Sequence, residues 1–583
     1  MNINDYYTKE LEALRTLGEE FSKRNPGLAS FLSEKGQDPD VERLLEGFAF
    51  LTGRLRQSID REFPEFTHSL TQLLWSNYLQ PIPSYTIVEF TPEINMEERE
   101  LIAKDTKIFG YGDEHRVDCT FGTSYDVELL PLRVDNVEYF SSGFSSTIEI
   151  DISMSSQGSL LDLDMSRLRF YLGGSNRISE ELYLYLNRFV EKIKLSVGED
   201  DNRVELALGS DAVSAVGFEE DENILPKKDT LFQGYMLIQE FFCYRDKFSF
   251  IEMSGFEKLR GLPKDILETN KSFRIKIELK RELELSKKLN INNFRLFCTP
   301  AINIFKTDAV PFSKSNQEEE YQVVLSQESQ GEIYSISKVE GWATNQNRYQ
   351  EFLPFELFEH TEQKQRYYSK RVKLSPDNKR VNTSIRFAPE IDQESYLNRK
   401  MTISIEVLAT NKNIPSTLEL GAINRFDSSS TISNVSFKNI TTPSKSFLPP
   451  IQGDFLWRII SNMSLNYLSL NSIKTFRSLL ESYDFIGFSD SLQQKHTKSM
   501  LLGLTDISFR PIEMLHRGFP LRGIEVTLEI NPDRYASFGE AYLFASMINE
   551  FLTLYSGINS FHRFKVKIDR KGIFVWRPKL GQE

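Results

Sequence analysis

At 583 residues the chain is long enough for roughly three to five domains, and 70 basic against 83 acidic side chains give it a formal net charge of −13. This acidity, without any sustained basic stripe, excludes a general nucleic-acid binder. Cys119, Cys243 and Cys298 are too few and too far apart for a disulfide framework or a zinc pattern.

The first stretch, residues 5–24, sets Tyr7, Leu11, Leu14, Leu17 and Phe21 on one side of a helix, with Lys9, Glu12, Arg15 and Glu19 outside. Its beginning lacks the basic and apolar regions of a signal peptide, and no run of about 18 apolar residues follows anywhere. A cytoplasmic protein without membrane insertion is therefore expected. Asn25-Pro26-Gly27 favours ending the helix.

From Asp38 to Ser84 the pattern is richer. Asp38 is a capping residue and Pro39 fits a first helical position. Val41, Leu44, Leu45, Phe48, Leu51, Leu55 and Ile59 recur at helical spacing, and Ala49 and Phe50 widen the apolar surface beyond one stripe. Pro64 restarts the pattern as a second helix with Phe66, Leu70, Leu73, Leu74 and Tyr78. A helix apolar on more than one face must be covered on more than one side. An ordinary internal core and a bundle shared with a partner chain both satisfy that requirement.

After Pro83 the period falls from 3.6 to 2. Thr86, Val88 and Phe90 begin it. Ile148, Ile150 and Ile152 continue it, followed by Val204, Leu206 and Leu208. The clearest run is Phe273, Ile275, Ile277 and Leu279, which alternate with Arg274, Lys276, Glu278 and Lys280. A helix is expected near 179–194, and Gly173-Gly174 reads as a turn without phosphate-loop spacing. Residues 441–453, with three prolines, read as a linker. Helices follow at 455–470 and about 471–486. A strand carries Ile524, Val526, Leu528 and Ile530, a helix spans about 538–555, and a last strand holds Phe564, Val566 and Ile568. The expected fold is α+β and multi-domain. A helical module (1–83) precedes two antiparallel sandwich- or barrel-like β-rich domains (84–225 and 226–440), the linker, and an α+β C-terminal domain (454–583).

No chemical motif stands out. None of the six histidines forms an i, i+4 pair, and there is no H-E-x-x-H, G-x-S-x-G or Walker loop. Asp60, Glu62 and Glu65 gather at a helix junction, as a glycosidase pair would, but charged helical surfaces look the same. Trp342 and Trp457 could stack on sugars, and each reads more simply as a core residue. Cys243, within Glu240-Phe241-Phe242-Cys243-Tyr244, reads as an inert buried thiol. No cofactor, metal or catalytic residue is expected. The alternative is a β-rich carbohydrate-active or carbohydrate-binding protein.

Several blocks, in order along nearly the whole chain, carry a family resemblance. They begin with Tyr6-Tyr7, Glu10-Leu11 and Asp38-Pro39, then Val41-Glu42-Arg43-Leu44-Leu45-Glu46-Gly47-Phe48-Ala49-Phe50-Leu51-Thr52, Glu62-Phe63-Pro64-Glu65-Phe66-Thr67 and Pro81-Ile82-Pro83-Ser84. They continue with Val216-Gly217-Phe218, Gln239-Glu240-Phe241-Phe242, Lys247-Phe248, Cys298-Thr299-Pro300 and Asn303-Ile304-Phe305. Leu456-Trp457-Arg458, Arg522-Gly523-Ile524-Glu525-Val526 and Trp576-Arg577-Pro578 complete the set. In these blocks the sequence resembles the TssF family (also called VasA or ImpG) of type VI secretion baseplate subunits. One departure is Ala409-Thr410-Asn411-Lys412, where the family usually has Cys-Thr-Asn-Arg.

The resemblance implies a structural, non-enzymatic role. Two copies of the chain would join one TssG, and TssK and TssE would complete a wedge. Wedges would surround the VgrG spike at the cytoplasmic face of the inner-membrane complex and support tail tube and sheath assembly for contraction-driven effector delivery. It also implies that the apolar excess after Asp38 serves an inter-subunit bundle. Leu44, Leu45, Phe48, Leu51, Leu55, Phe66, Leu70 and Leu74 would then face the partner, and Glu42, Arg43 and Glu46 would set the register.

Overall fold

In the computed structural model the chain divides into two compact units, Met1–Ser76 and Asn77–Glu583. In the first unit the structure describes residues 7–8, 11–12, 14, 40, 43–54, 70–72 and 76. In the second it describes all residues except 97, 113–116, 199–202, 227–232, 284, 286, 315–317, 327–330, 344–347, 356–365, 376–379, 389–400, 429–431, 433, 452–469, 471, 554–555, 558 and 582–583. Residues 455–469, and residues 64–69 and 73–75 of the helix expected after Pro64, lie outside the described residues. In the first unit residues 43–54 are helical, as are 70–72.

The second unit is built mainly on antiparallel sheets. A six-stranded sheet runs in the order Ile423–Phe426, Lys107–Gly112, Val117–Thr123, Cys298–Ile302, Tyr85–Pro92, Val435–Asn439. A five-stranded sheet places Ser272–Leu279 between Val190–Val197 and Ser146–Met154, with Val204–Leu208 and Leu132–Ser141 at its edges. Phe273, Ile275, Ile277 and Leu279 are buried there, while Arg274, Lys276 and Glu278 are half-exposed, so the period-2 pattern marks one core face. Each such side chain stabilises the fold by about 2 kcal/mol. Ile148, Ile150 and Ile152 lie directly opposite Ile277, Ile275 and Phe273. An eight-stranded sheet, from Phe305–Asp308 at one edge to Tyr321–Gln322 at the other, has its own core around Ile385, Ile403, Val407 and Phe352.

Strands from both sides of residue 225 share the first two sheets and a third, four-stranded one (Val213–Ala215, Phe250–Ser254, Arg167–Tyr171, Arg295–Leu296). Pairing such as Tyr85 with Ile302 joins stretches that a linear reading keeps apart. Residues 441–447 are likewise tied to the body: Thr441 Oγ1 accepts from the Ile87 N–H at 2.8 Å, and Ile82 and Phe447 form a β-bridge.

Six α-helices of the second unit are described: α1 (Asn176–Arg188), α2 (Gln233–Cys243), α3 (Lys264–Thr269), α4 (Ile473–Glu481), α5 (Ser491–Leu502) and α6 (Phe538–Thr553). The helix expected near 179–194 ends at Arg188, and Val190–Val197 is a strand. Its residues gain a ladder with both Ser272–Leu279 and Val204–Leu208, and that tertiary pairing overrides the helical reading. The C-terminal sheet runs Leu504–His516, Phe519–Ile530, Phe561–Ile568, Gly572–Val575, with the second and third strands parallel. α6 lies between this sheet and helices α1 and α2. Its Phe544 packs on Phe241 of α2 at 5.4 Å between ring centroids, and its Tyr542 on Tyr183 of α1 at 6.0 Å.

Candidate partner interface

The helix at 43–54 divides cleanly by burial. Ala49 is fully buried and Gly53 is buried beside it. Leu44, Phe48 and Leu51 fall within about 60° of one another at 100° per residue. They are 73%, 57% and 59% exposed, and Phe50 on the flank is 45% exposed. Small side chains thus seat the helix, and large apolar ones face out. Leu44, Phe48 and Leu51 form a contiguous exposed stripe rather than a scatter of single surface residues.

Leu44, Phe48 and Leu51, three of the expected interface positions, form this stripe. Leu45 and Leu70 are half-buried. Leu55, Phe66 and Leu74 lie outside the described residues, as does Glu42. Arg43 and Glu46 are exposed, and Arg43 stands 3.9 Å from Asp40 one turn earlier, with both side chains at least 80% exposed. An ion pair so exposed adds little to stability. Thr52 Oγ1 donates to the Phe48 carbonyl at 2.8 Å, which occupies its hydroxyl within the helix.

The other quoted blocks hold the second unit together. Glu240 accepts from the backbone N–H groups of Ile224 and Leu225, both at 2.8 Å, and from the Lys247 ammonium, with both charged side chains fully buried. Burial pushes the Lys247 pKa down against the pull of Glu240. Gly217, in the left-handed region at φ +102°, donates to Glu222 at 2.6 Å, and a Cβ there would meet the Lys247 carbonyl at 2.8 Å. Asn303 and Asn411, 108 residues apart, exchange two 2.7 Å hydrogen bonds, so the Thr410-Asn411 block is a buried polar staple beside Ala409. The sequence shows these residues as motifs; their pairing is visible only once the strands are assembled.

A second buried node joins α1, α5 and α6 around Arg245. Its guanidinium pairs with Glu180 at 3.3 Å and with Glu540, and His496 lies 2.8 Å from Glu540. Burial pushes Glu180 up to about 7 despite Arg245. Burial also raises Glu540, but the His496 hydrogen bond, the Arg245 charge and the Ala536 N–H outweigh it and hold this carboxylate at about 2.

Among the described residues no cluster of three metal-ligating side chains exists, and no helix is long and apolar enough to cross a membrane. All three cysteines are free and buried, with Cys119 pushed up to about 12 by burial and Cys243 well above its ordinary value by the same cause. Trp342 is half-buried against Tyr349 at 4.7 Å. Asp60, Glu62, Glu65 and Trp457 lie outside the described residues.

The family model described as "Type VI secretion system, TssF" matches residues 1–583. The chain belongs to the TssF family. Across 627 aligned residues it is 28% identical to the type VI secretion system component TssF1 of Pseudomonas aeruginosa, covering 99% of this chain and 98% of the relative. The TssF fold recurs in a cryo-electron microscopy structure of the type VI secretion system TssK-TssF-TssG baseplate subcomplex, with a TM-score of 0.74 and 27% identity over 93% of this chain and all of that one. A chain of the type VI secretion baseplate complex shares the fold at a TM-score of 0.60 and 23% identity, covering 99% of both. The two solved structures are of type VI secretion baseplate assemblies, and the family assignment disfavours the carbohydrate-directed alternative.

Proposed function

We propose that this chain is a structural wedge subunit of a type VI secretion baseplate, and that the helix at 43–54 is its contribution to a bundle shared with a TssG-type subunit. The observation that carries the reading is the uncovered stripe of Leu44, Phe48 and Leu51 on a helix seated by Ala49 and Gly53. A TssG-type helix laid on that stripe removes its apolar surface from water, at roughly 25 cal/mol per Å². The solved subcomplex that this chain resembles contains TssG and TssK, which makes subunits of those types the first partners to test. Leu55, Phe66, Leu70 and Leu74 extend the same surface in this reading, with Glu42, Arg43 and Glu46 fixing its register. Two copies of the chain share one TssG-type subunit, and TssE and the VgrG spike complete the surroundings at the cytoplasmic face of the inner membrane. The chain holds geometry under load and performs no catalysis.

Changing Leu44→Arg together with Phe48→Arg tests this. Both side chains already face water, so the variant is expected to stay folded and to lose co-elution with the TssG-type subunit of its own system. Normal co-elution contradicts the shared bundle, and a loss of solubility alone points to an internal core.

A further inference from the structure

The C-terminal sheet carries a second surface whose chemistry differs from that of the helix stripe. Strands Leu504–His516 and Phe519–Ile530 pair along their full length, but Phe561–Ile568 joins only from Gly523 onward. The last four cross-strand pairs, Glu513–Arg522, Met514–Leu521, Leu515–Pro520 and His516–Phe519, therefore form a two-stranded finger, about 13 Å long at 3.3 Å per residue.

The polarity of its outer face reverses along its length. Over the body of the sheet that face is charged: Glu525 is bound by Arg563 and Lys565, and Glu529 by Lys567. Beyond Glu525 the same face carries Ile512, Met514, Leu521 and Phe519, with Phe519 75% exposed and the other three half-exposed. A ribbon of two strands spaced about 4.8 Å apart is wide enough to seat one helix across this face.

Charge identifies the kind of helix. Residues 510–523 hold Arg510, Arg517 and Arg522 against Glu513 alone, a local excess of two positive charges in a chain of net −13. Glu513 is paired with Arg522 at 3.3 Å, and among the described residues neither Arg510 nor Arg517 has an ion-pair partner. These two arginines bracket the apolar patch at its base and its tip. The tip is also strained. The turn residues Arg517 and Gly518 have φ +50° and +86°, the left-handed pair of a two-residue hairpin, where asparagine serves better than arginine at the first position. A turn built around an ill-suited arginine points to a use for its side chain.

We propose that the finger is a docking site for an amphipathic helix of a neighbouring baseplate subunit, with an apolar stripe over Met514, Leu521 and Phe519 and acidic flanks meeting Arg510 and Arg517. The proposal rests on the baseplate reading and adds a second contact, independent of the helix at 43–54.

Full-length chain, purified TssG-type and TssK-type subunits of the same system, and the preformed subcomplex serve as probes in a titration at low and high salt. Arg510→Gln with Arg517→Asn is expected to weaken binding of one subunit about tenfold at low salt, with the gap narrowing as salt screens the charges. Because asparagine suits the turn, this variant is expected to melt no lower than wild type. Leu521→Lys is expected to weaken the same subunit at both salt concentrations. Unchanged binding of both subunits by both variants overturns the proposal, as does a loss confined to self-association, which would make a second copy of the chain the occupant. Failure of the wild-type chain to bind either subunit would instead count against the baseplate reading.

Discussion

The helix at 43–54 and α6 are both rich in apolar residues on more than one face, yet they end in opposite situations. α6 packs between the C-terminal sheet and helices α1 and α2, and nearly every one of its side chains is buried, Phe544 completely. The helix at 43–54 buries Ala49 and Gly53 and leaves Leu44, Phe48 and Leu51 in water. The difference lies in what the chain supplies around each helix. An apolar surface covered by the chain becomes core, and the proposal gives the exposed one a role as a site for another chain.

The buried side of the contrast predicts the largest effects. Lys247→Met leaves the Glu240 charge buried without its partner, and should cost about 3–5 kcal/mol in denaturant unfolding. Phe544→Ala should cost about the same through the cavity it opens. A cost below about 1 kcal/mol for either would mean that this layer is less tightly packed than its burial indicates.

Next in size is a pH effect at the node that holds α6. Below pH 4.5 Glu180 is protonated in both the folded and the unfolded chain. Between 4.5 and about 7 the folded chain keeps a proton that the unfolded chain has released, so this group's contribution to stability falls as pH rises through that window. Glu540, held at about 2, acts in the opposite sense: its contribution is present above pH 4.5 and is lost as pH falls toward 2. Glu180→Gln removes only the first slope. The stability difference between variant and wild type should grow across pH 4.5–7 by up to about 3 kcal/mol, read from paired denaturation curves. Parallel pH profiles would contradict the raised Glu180.

The exposed side predicts changes seen only with a partner. Phe48→Ala should leave the isolated chain's melting temperature unchanged, yet weaken binding of a TssG-type subunit by about 2 kcal/mol, as loss of a buried interface aromatic does. The smallest effect belongs to Arg43→Gln with Glu46→Gln, which should leave stability unmoved and shift only the salt dependence of that binding. An equal loss of stability in the free chain from Phe48→Ala and Phe544→Ala would erase the distinction between the two helices.

Local pattern carried much of the fold. Ile148, Ile150 and Ile152 and the Phe273–Leu279 run announced a half-buried sheet by alternation alone, and α6 was legible as an apolar helix. What stayed hidden was set by partners far along the chain. Val190–Val197 is a strand because two distant strands flank it. Asn303 and Asn411 matter because the fold brings them together, and nothing local to either residue says so. The helix stripe showed in the sequence as an excess of apolar residues, but which of them face water did not. Helical spacing puts Leu45 and Leu44 in one list, and only the seating by Ala49 and Gly53 separates the half-buried residue from the exposed one.

Amide hydrogen exchange over residues 43–54, with and without the TssG-type subunit of the same system, shows whether a partner covers this helix. Slow exchange around Ala49 is expected in the free chain, with added protection across Leu44–Leu51 on binding that disappears with Leu44→Arg and Phe48→Arg. Stable binding with no change in exchange over that helix would contradict the shared bundle.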